Sequence, residues 1–284
     1  MSPLRLTALA GVVFLLAFGI GLAMYFPGQA VSRYVSQRAE RAAGVPVRLS
    51  PISIGLTGLS AATLEVRPAD GASFVVHDLH VPWTWRWVSE FPISARIGPE
   101  GRVDVDWSWS GDLSVTAKGV PLQDLPLPML PRETKVQGTL DASLRAGPLA
   151  LRQGTPREVP AGQLEVRAEA LEVSNLRVAG TALPPVRIDV LDAKVGLGRT
   201  LQVESVTLRG DVQGTVSGTV VPNLDRPSDS RISLNVSLQV QNAWLDRLGE
   251  MRPLAEGFLP GGRFEGIVEG TVAAPILNRN GKRS

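Results

Sequence analysis

From Val45 onward, apolar residues recur at every second position. Val45, Val47 and Leu49 alternate, as do Ile52, Ile54 and Leu56. The habit continues through GQLEVRAEALEV (162–173), PVRIDV (185–190), LQVESVTLRG (201–210) and RISLNVSLQVQ (231–241). A period of two sends successive side chains to opposite faces of a strand, so each run has one apolar and one polar side. Gly, Pro and Asp turns separate the runs, as in Gly98-Pro99-Glu100-Gly101 between ISARI and RVDVDWSW. The pattern predicts a mainly β chain: an elongated, curved antiparallel sheet with one solvated face.

Composition narrows what such a sheet does. The chain has 284 residues and is 44% hydrophobic, enough for a real core. Its 29 Lys and Arg nearly balance 27 Asp and Glu, so it lacks the concentrated basic face of a nucleic-acid partner. It contains no cysteine, which excludes disulfides, thiolate metal sites and cysteine nucleophiles.

The amino terminus departs from the β pattern. Leu6 to Phe26 are 21 consecutive uncharged residues. As a helix they span roughly 31 Å, the hydrocarbon thickness of a bilayer. The stretch exceeds the apolar region usual in a cleaved signal peptide, although Gly28-Gln29-Ala30 offers small residues suited to cleavage. Residues 1–27 therefore read as a transmembrane anchor, with Leu6, Phe14, Leu15, Leu16, Phe18 and Phe26 facing lipid. Arg33, Arg38 and Arg41 follow the span, but long following domains cross largely regardless of such charge.

Residues 28–44 predict a short amphipathic linker helix, with Val31, Tyr34, Val35, Ala39 and Ala42 on one face and Gly44 as its cap. Residues 45–275 form the β body, with a subdivision expected at the Pro-rich segment 121–133. A second irregular connection covers 222–230, AWLDRLGEM (243–251) reads as helix, and 276–284 as a basic flexible tail.

One pattern repeats. Gly210, Val212, Gly214, Val216, Gly218 and Val220 alternate with polar residues, and Gly262, Phe264, Gly266, Val268, Gly270 and Val272 nearly match them. A weaker copy runs from Gly138 to Leu144. Glycine weakens a strand and marks bends or close approaches, so these runs predict a sharply curved sheet. Val212, Val216, Phe264 and Val268 are candidates for a concave apolar face that holds an acyl chain or a partner.

Enzymatic signatures are scarce. No nucleophile elbow, P-loop, zinc-protease helix or dinucleotide fingerprint occurs. His77 and His80 would point to opposite faces of a strand and have no third imidazole or thiolate, so neither metal nor cofactor is expected. Asp104 and Asp106 read as the solvated side of their strand. The chain reads as non-enzymatic.

Trp83, Trp85 and Trp87 share parity with Val75, Leu79 and Val81; Trp107 and Trp109 share it with Val103 and Val105. Alternation thus places all five on apolar β faces, as core or as the wall of a groove. A sugar-stacking platform and an interfacial belt at a membrane are the competing readings. Pro82 implies an edge or bulge just before the run.

The order of parts resembles a known family. A single span leads into a helix ending in Gly-Val-Pro-Val (44–47), followed by RLSPISIGLTGLSAATLEV (48–66), a hairpin through Ile97 to Trp109, and FLPGGRFEGIVEGTVAAP (258–275). This layout is similar to the type II secretion system protein N family (GspN) and, more distantly, to AsmA-like periplasmic proteins. The resemblance implies a single-pass protein of a bacterial inner membrane with its body in the periplasm. It implies a non-enzymatic scaffold whose partners belong to the secretion apparatus. The AsmA-like relatives imply a rival role, a β groove shielding phospholipid or lipopolysaccharide acyl chains.

Overall fold

In the computed structural model the period of two becomes a single sheet. Residues 27–43, 45–67, 73–125, 133–148, 159–178, 181–223 and 226–279 are described. The segment read as an anchor, with Leu6, Phe14, Leu15, Leu16, Phe18 and Phe26, lies outside them. Among the described residues no helix is long and apolar enough to cross a membrane.

The chain enters as α1 (Gly28–Ala43) and then β1 (Val47–Leu49), β2 (Ser53–Ile54) and β3 (Gly58–Val66). Next come β4 (Phe74–Pro82), β5 (Glu90–Ile97), β6 (Gly101–Ser108), β7 (Leu113–Pro121), β8 (Lys135–Ala146) and β9 (Gly162–Ser174). A two-strand ladder, β10 (Arg177–Val178) and β11 (Thr181–Ala182), precedes β12 (Val186–Leu197), β13 (Leu201–Gly210), β14 (Val212–Val221) and β15 (Arg231–Val240). Two short helices, α2 (Asn242–Arg247) and α3 (Arg252–Phe258), lead to β16 (Arg263–Thr271) and β17 (Pro275–Arg279).

Every pairing is antiparallel, and apart from the β10–β11 ladder and β2, which pairs with β3, each strand neighbours the next along the chain. The protein is mainly β because strands that alternate in polarity follow one another along the chain, several of them joined by short turns such as 98–100, 109–112 and 198–200.

Three boundaries differ from the sequence reading. The sheet runs unbroken past 121–133, since β7 pairs with β8 from Leu113↔Ala146 onward. Residues 276–279, read as tail, belong to the edge strand β17, where Gly270 pairs with Pro275 and Gly266 with Arg279. The packed face of α1 is also not the predicted one. Gly28 and Ser32 are buried, whereas Tyr34 and Val35 are exposed. Small residues spaced four apart let the helix lie close to the chain around β1 and β2. Ser36 Oγ accepts a hydrogen bond from the Leu49 amide (3.1 Å), and a Cβ on Gly28 would overlap the Ile52 carbonyl.

Candidate functional site

The apolar face of the sheet is organised in rows that cross the strands. One row passes from Ile93 through Val105, Val115, Leu144, Leu164, Val195, Val203, Gly218, Leu234 and Val268 to Leu277, each paired with the next. A parallel row passes from Ala95 through Val103, Ala117, Ala142, Val166, Ala193, Val206 and Val216 to Val236 and Gly266. Neither contains a polar side chain. At about 4.8 Å between strands, the first row spans roughly 48 Å.

The opposite face is polar and its charges pair both along and across strands. Arg167 approaches Glu169 (2.8 Å) and Asp192 (3.8 Å), and Lys194 reaches Glu165 (3.2 Å). Exposed pairs of this kind contribute little stability each, but they keep this side in water. Asp104 bonds Arg102 at 2.8 Å.

Among the described residues, the clusters that cover the apolar face lie along one lip, where β7, β13 and β15 end. There Trp244, Leu245 and Leu248 from α2 and its C-terminal turn pack on Val240 of β15, with Val186 and Val212 against the same cluster. Trp244 Nε1 donates to the Pro185 carbonyl at 3.1 Å, so burial leaves no orphan donor. Farther along that lip, Val76, Ile97 and Val120 form a second cluster with Leu125 of the turn after β7. Between and beyond these caps, Leu144, Leu164, Val195, Val203, Leu234 and Val268 are half-buried, with no second layer of described residues over them. They shield one another, aided by bulges at 117–120, 194–195 and 203–206 that bend the strands.

Of the residues singled out in the sequence, Val216 and Val268 stand on the open part of this face, and Val212 and Phe264 lie at the capped lip. Trp107 extends a third row at the uncapped lip, pairing with Phe91 and Leu113, and is 41% exposed.

Trp83, Trp85 and Trp87 do not continue a buried strand face, which corrects the alternation argument. Asp78 takes a left-handed conformation (φ 49°) and makes a bulge that reverses the parity of β4. Val76 is therefore buried, and His77 is exposed while His80 is half-buried. Pro82 ends the strand, and residues 85–88 form a 3-10 turn capped by Thr84, whose hydroxyl accepts from the Arg86 amide. Trp85 is 82% exposed and Val88 is 86% exposed. Of the three, Trp87 is half-buried, tilted between Trp83 (5.0 Å between centroids) and Phe91 (5.5 Å). Trp109 sits in the β6–β7 turn, 72% exposed.

Hydrogen bonds stitch three turns into one corner. Trp83 Nε1 donates to the Gly55 carbonyl (2.9 Å) and its amide to the Thr57 carbonyl (3.0 Å). Trp109 Nε1 donates to the Trp87 carbonyl (2.7 Å) and its amide to the Ser89 carbonyl (3.1 Å). Arg86 is bonded to Glu90 and Asp106, and holds the Glu90 carboxyl below its ordinary value. Leu56, read as the end of an alternating strand, sits at the tip of the β2–β3 turn and is 98% exposed. The flanking Gly55 and Gly58 were the available sign of a turn.

Among the described residues no cluster of three His, Asp or Glu side chains is placed to hold a metal ion. No protein family, curated protein or solved structure matches the chain.

Proposed function

We propose that this is a membrane-anchored envelope protein whose sheet holds acyl chains of phospholipid or lipopolysaccharide on its apolar face. The observation that carries the reading is the row from Ile93 to Leu277, apolar at every strand and, among the described residues, uncovered between the caps. A contiguous apolar surface of this extent is exceptional on a soluble monomer and marks a binding surface. An acyl chain spans about half the roughly 30 Å hydrocarbon core, so one or more chains fit along the row. The lack of polar side chains in it favours a chain over a headgroup or peptide, whose polar atoms would lose water without partners. Residues 6–26 anchor the body, which lies in the periplasm as the AsmA-like layout implies.

The test is photo-crosslinking of the full-length protein with a phospholipid carrying a photoreactive group near its chain end. Adducts on peptides bearing Leu144, Leu164 or Val203 are expected, and Leu164→Asp should reduce them at least tenfold while α1 to β3 still fold. Adducts confined to residues 6–26 would refute the groove.

A second reading, the secretion-system scaffold, has one observation in its favour. β17 is an edge strand that exposes Ile276 and Leu277, a template for strand addition by a partner. Ile276→Pro is then expected to weaken secretion of exported proteins; unchanged secretion with altered outer-membrane permeability would exclude this reading.

A further inference from the structure

We infer that the corner bearing Leu56, Trp83, Trp85, Val88 and Trp109 docks into the membrane–water interface of the bilayer from which the chain emerges. The inference rests on reading residues 6–26 as a span. Among the described residues, nothing packs over the outward side of the corner. Trp85, Val88 and Leu56 are more exposed than solvation of a large apolar side chain favours, and they belong to turns held together by the Trp83 and Trp109 hydrogen bonds. The corner is therefore built and held, with its apolar groups turned outward.

The place where the preceding chain ends identifies the occupant. The 21 uncharged residues stop at Phe26, and two residues later Gly28 is packed against Ile52. Ile52 leads through β2 directly into Gly55 and Leu56, the turn to which Trp83 is bonded. A span ending at Phe26 delivers this corner, rather than the opposite strand ends, to the bilayer surface. Helix α1 reinforces the placement, because it runs from Gly28 at this corner to the far end of β1.

The chemistry fits that depth. Indole is enriched at bilayer interfaces, where an apolar ring meets a hydrated donor. Trp83 and Trp109 have their Nε1 donors bonded to carbonyls of the corner, so desolvating their rings strands no donor. Arg86 donates to both Glu90 and Asp106, which lowers the cost of bringing the turn close to lipid. Docking would also fix the tilt of the sheet, setting Trp107 and the uncapped lip beside the bilayer surface.

The experiment uses the full chain in phosphatidylcholine vesicles whose acyl chains are brominated either near the headgroup or near the chain end. Three of six tryptophans, Trp83, Trp85 and Trp109, should be quenched strongly by the shallow bromines, removing about half of the emission. Trp85→Phe with Trp109→Phe should remove about two thirds of that quenchable part, and Trp244→Phe should leave it intact. Emission unaffected at either depth, or equally quenched in the double variant, overturns the proposal. A blue-shifted, unquenched emission overturns it in favour of a second copy of this chain covering the patch. Alkaline carbonate extraction separates the two readings: a protein that stays in the vesicles but is unquenched refutes the docking alone. One that is extracted yet quenched before extraction refutes the span and keeps the docking. Extraction without quenching refutes both.

Discussion

Gly218→Ala is expected to destabilise the sheet by about 3 kcal/mol, and Gly218→Val by more. Gly218 lies mid-strand in β14, between Val203 of β13 and Leu234 of β15. Its φ is 144°, a backbone region that L side chains rarely adopt. A Cβ there would lie 2.9 Å from Leu234 Cα and overlap the Ser233 carbonyl oxygen, so β14 and β15 must separate to admit it. These are backbone atoms on a paired strand, which cannot swing aside as a long side chain would. The bulge between Val203 and Val206 lies on the other side of Gly218, and together they bend the sheet toward its apolar face.

Gly257→Ala is the matched control. It lies in α3, where an added methyl would meet nothing within 4 Å. Alanine should therefore stabilise by roughly 0.5–1 kcal/mol, through lower unfolded-state entropy and better helix propensity. Urea denaturation of both variants checks the contrast, since stability of opposite sign is expected from the same chemical change. Equal effects would mean that the strand glycines are not held by geometry.

Most of the sheet was legible because alternation is a local signal that survives in each strand separately. The Val45–Leu49 and Arg231–Val240 runs show this, and so does the segment from Gly262 to Thr271. What failed was parity across a bulge. Val75, Leu79 and Val81 shared an odd register with the tryptophans, but the left-handed residue Asp78 shifted the count by one between Val75 and Leu79, and Pro82 ended the strand before the tryptophans. A bulge is set by pairing with β5, where the register slips between His77 and His80, and no residue of β4 alone announces it.

The rows were invisible for a related reason. Each strand carries two or three aliphatic residues, and only register joins Leu144 to Leu164 and Val195 into one surface. The capped lip was half legible. AWLDRLGEM reads as helix from its period, but that Trp244 and Leu245 fold back over Val240 is a tertiary fact. The packed face of α1 was misread because Ser32 and Ser36 were counted as polar, whereas in a close helix–strand contact their small size matters more than their polarity.

The second large effect is expected at that lip. Leu245 is 1% exposed, the anchor of the cap with Trp244, Leu248 and Val240 around it. Leu245→Ala removes most of a fully buried side chain and leaves a cavity, a change that costs about 3–5 kcal/mol where neighbours cannot collapse. Collapse is limited here, since a Cβ on Gly262 would stand only 3.3 Å from the Leu245 side chain, and Trp244 is tethered to Pro185. The cap is a small cluster on a long sheet, so part of the loss should appear as local opening rather than global unfolding. Hydrogen exchange is then expected to accelerate over residues 242–259 with β13 and β14 still protected, and Trp244 emission to shift to the red. Opening the cap would uncover Val186 and Val212, and the acyl-chain reading predicts that crosslinks spread to peptides bearing these residues. A uniform loss of protection across the sheet would show instead that the cap and the strands unfold as one cooperative unit.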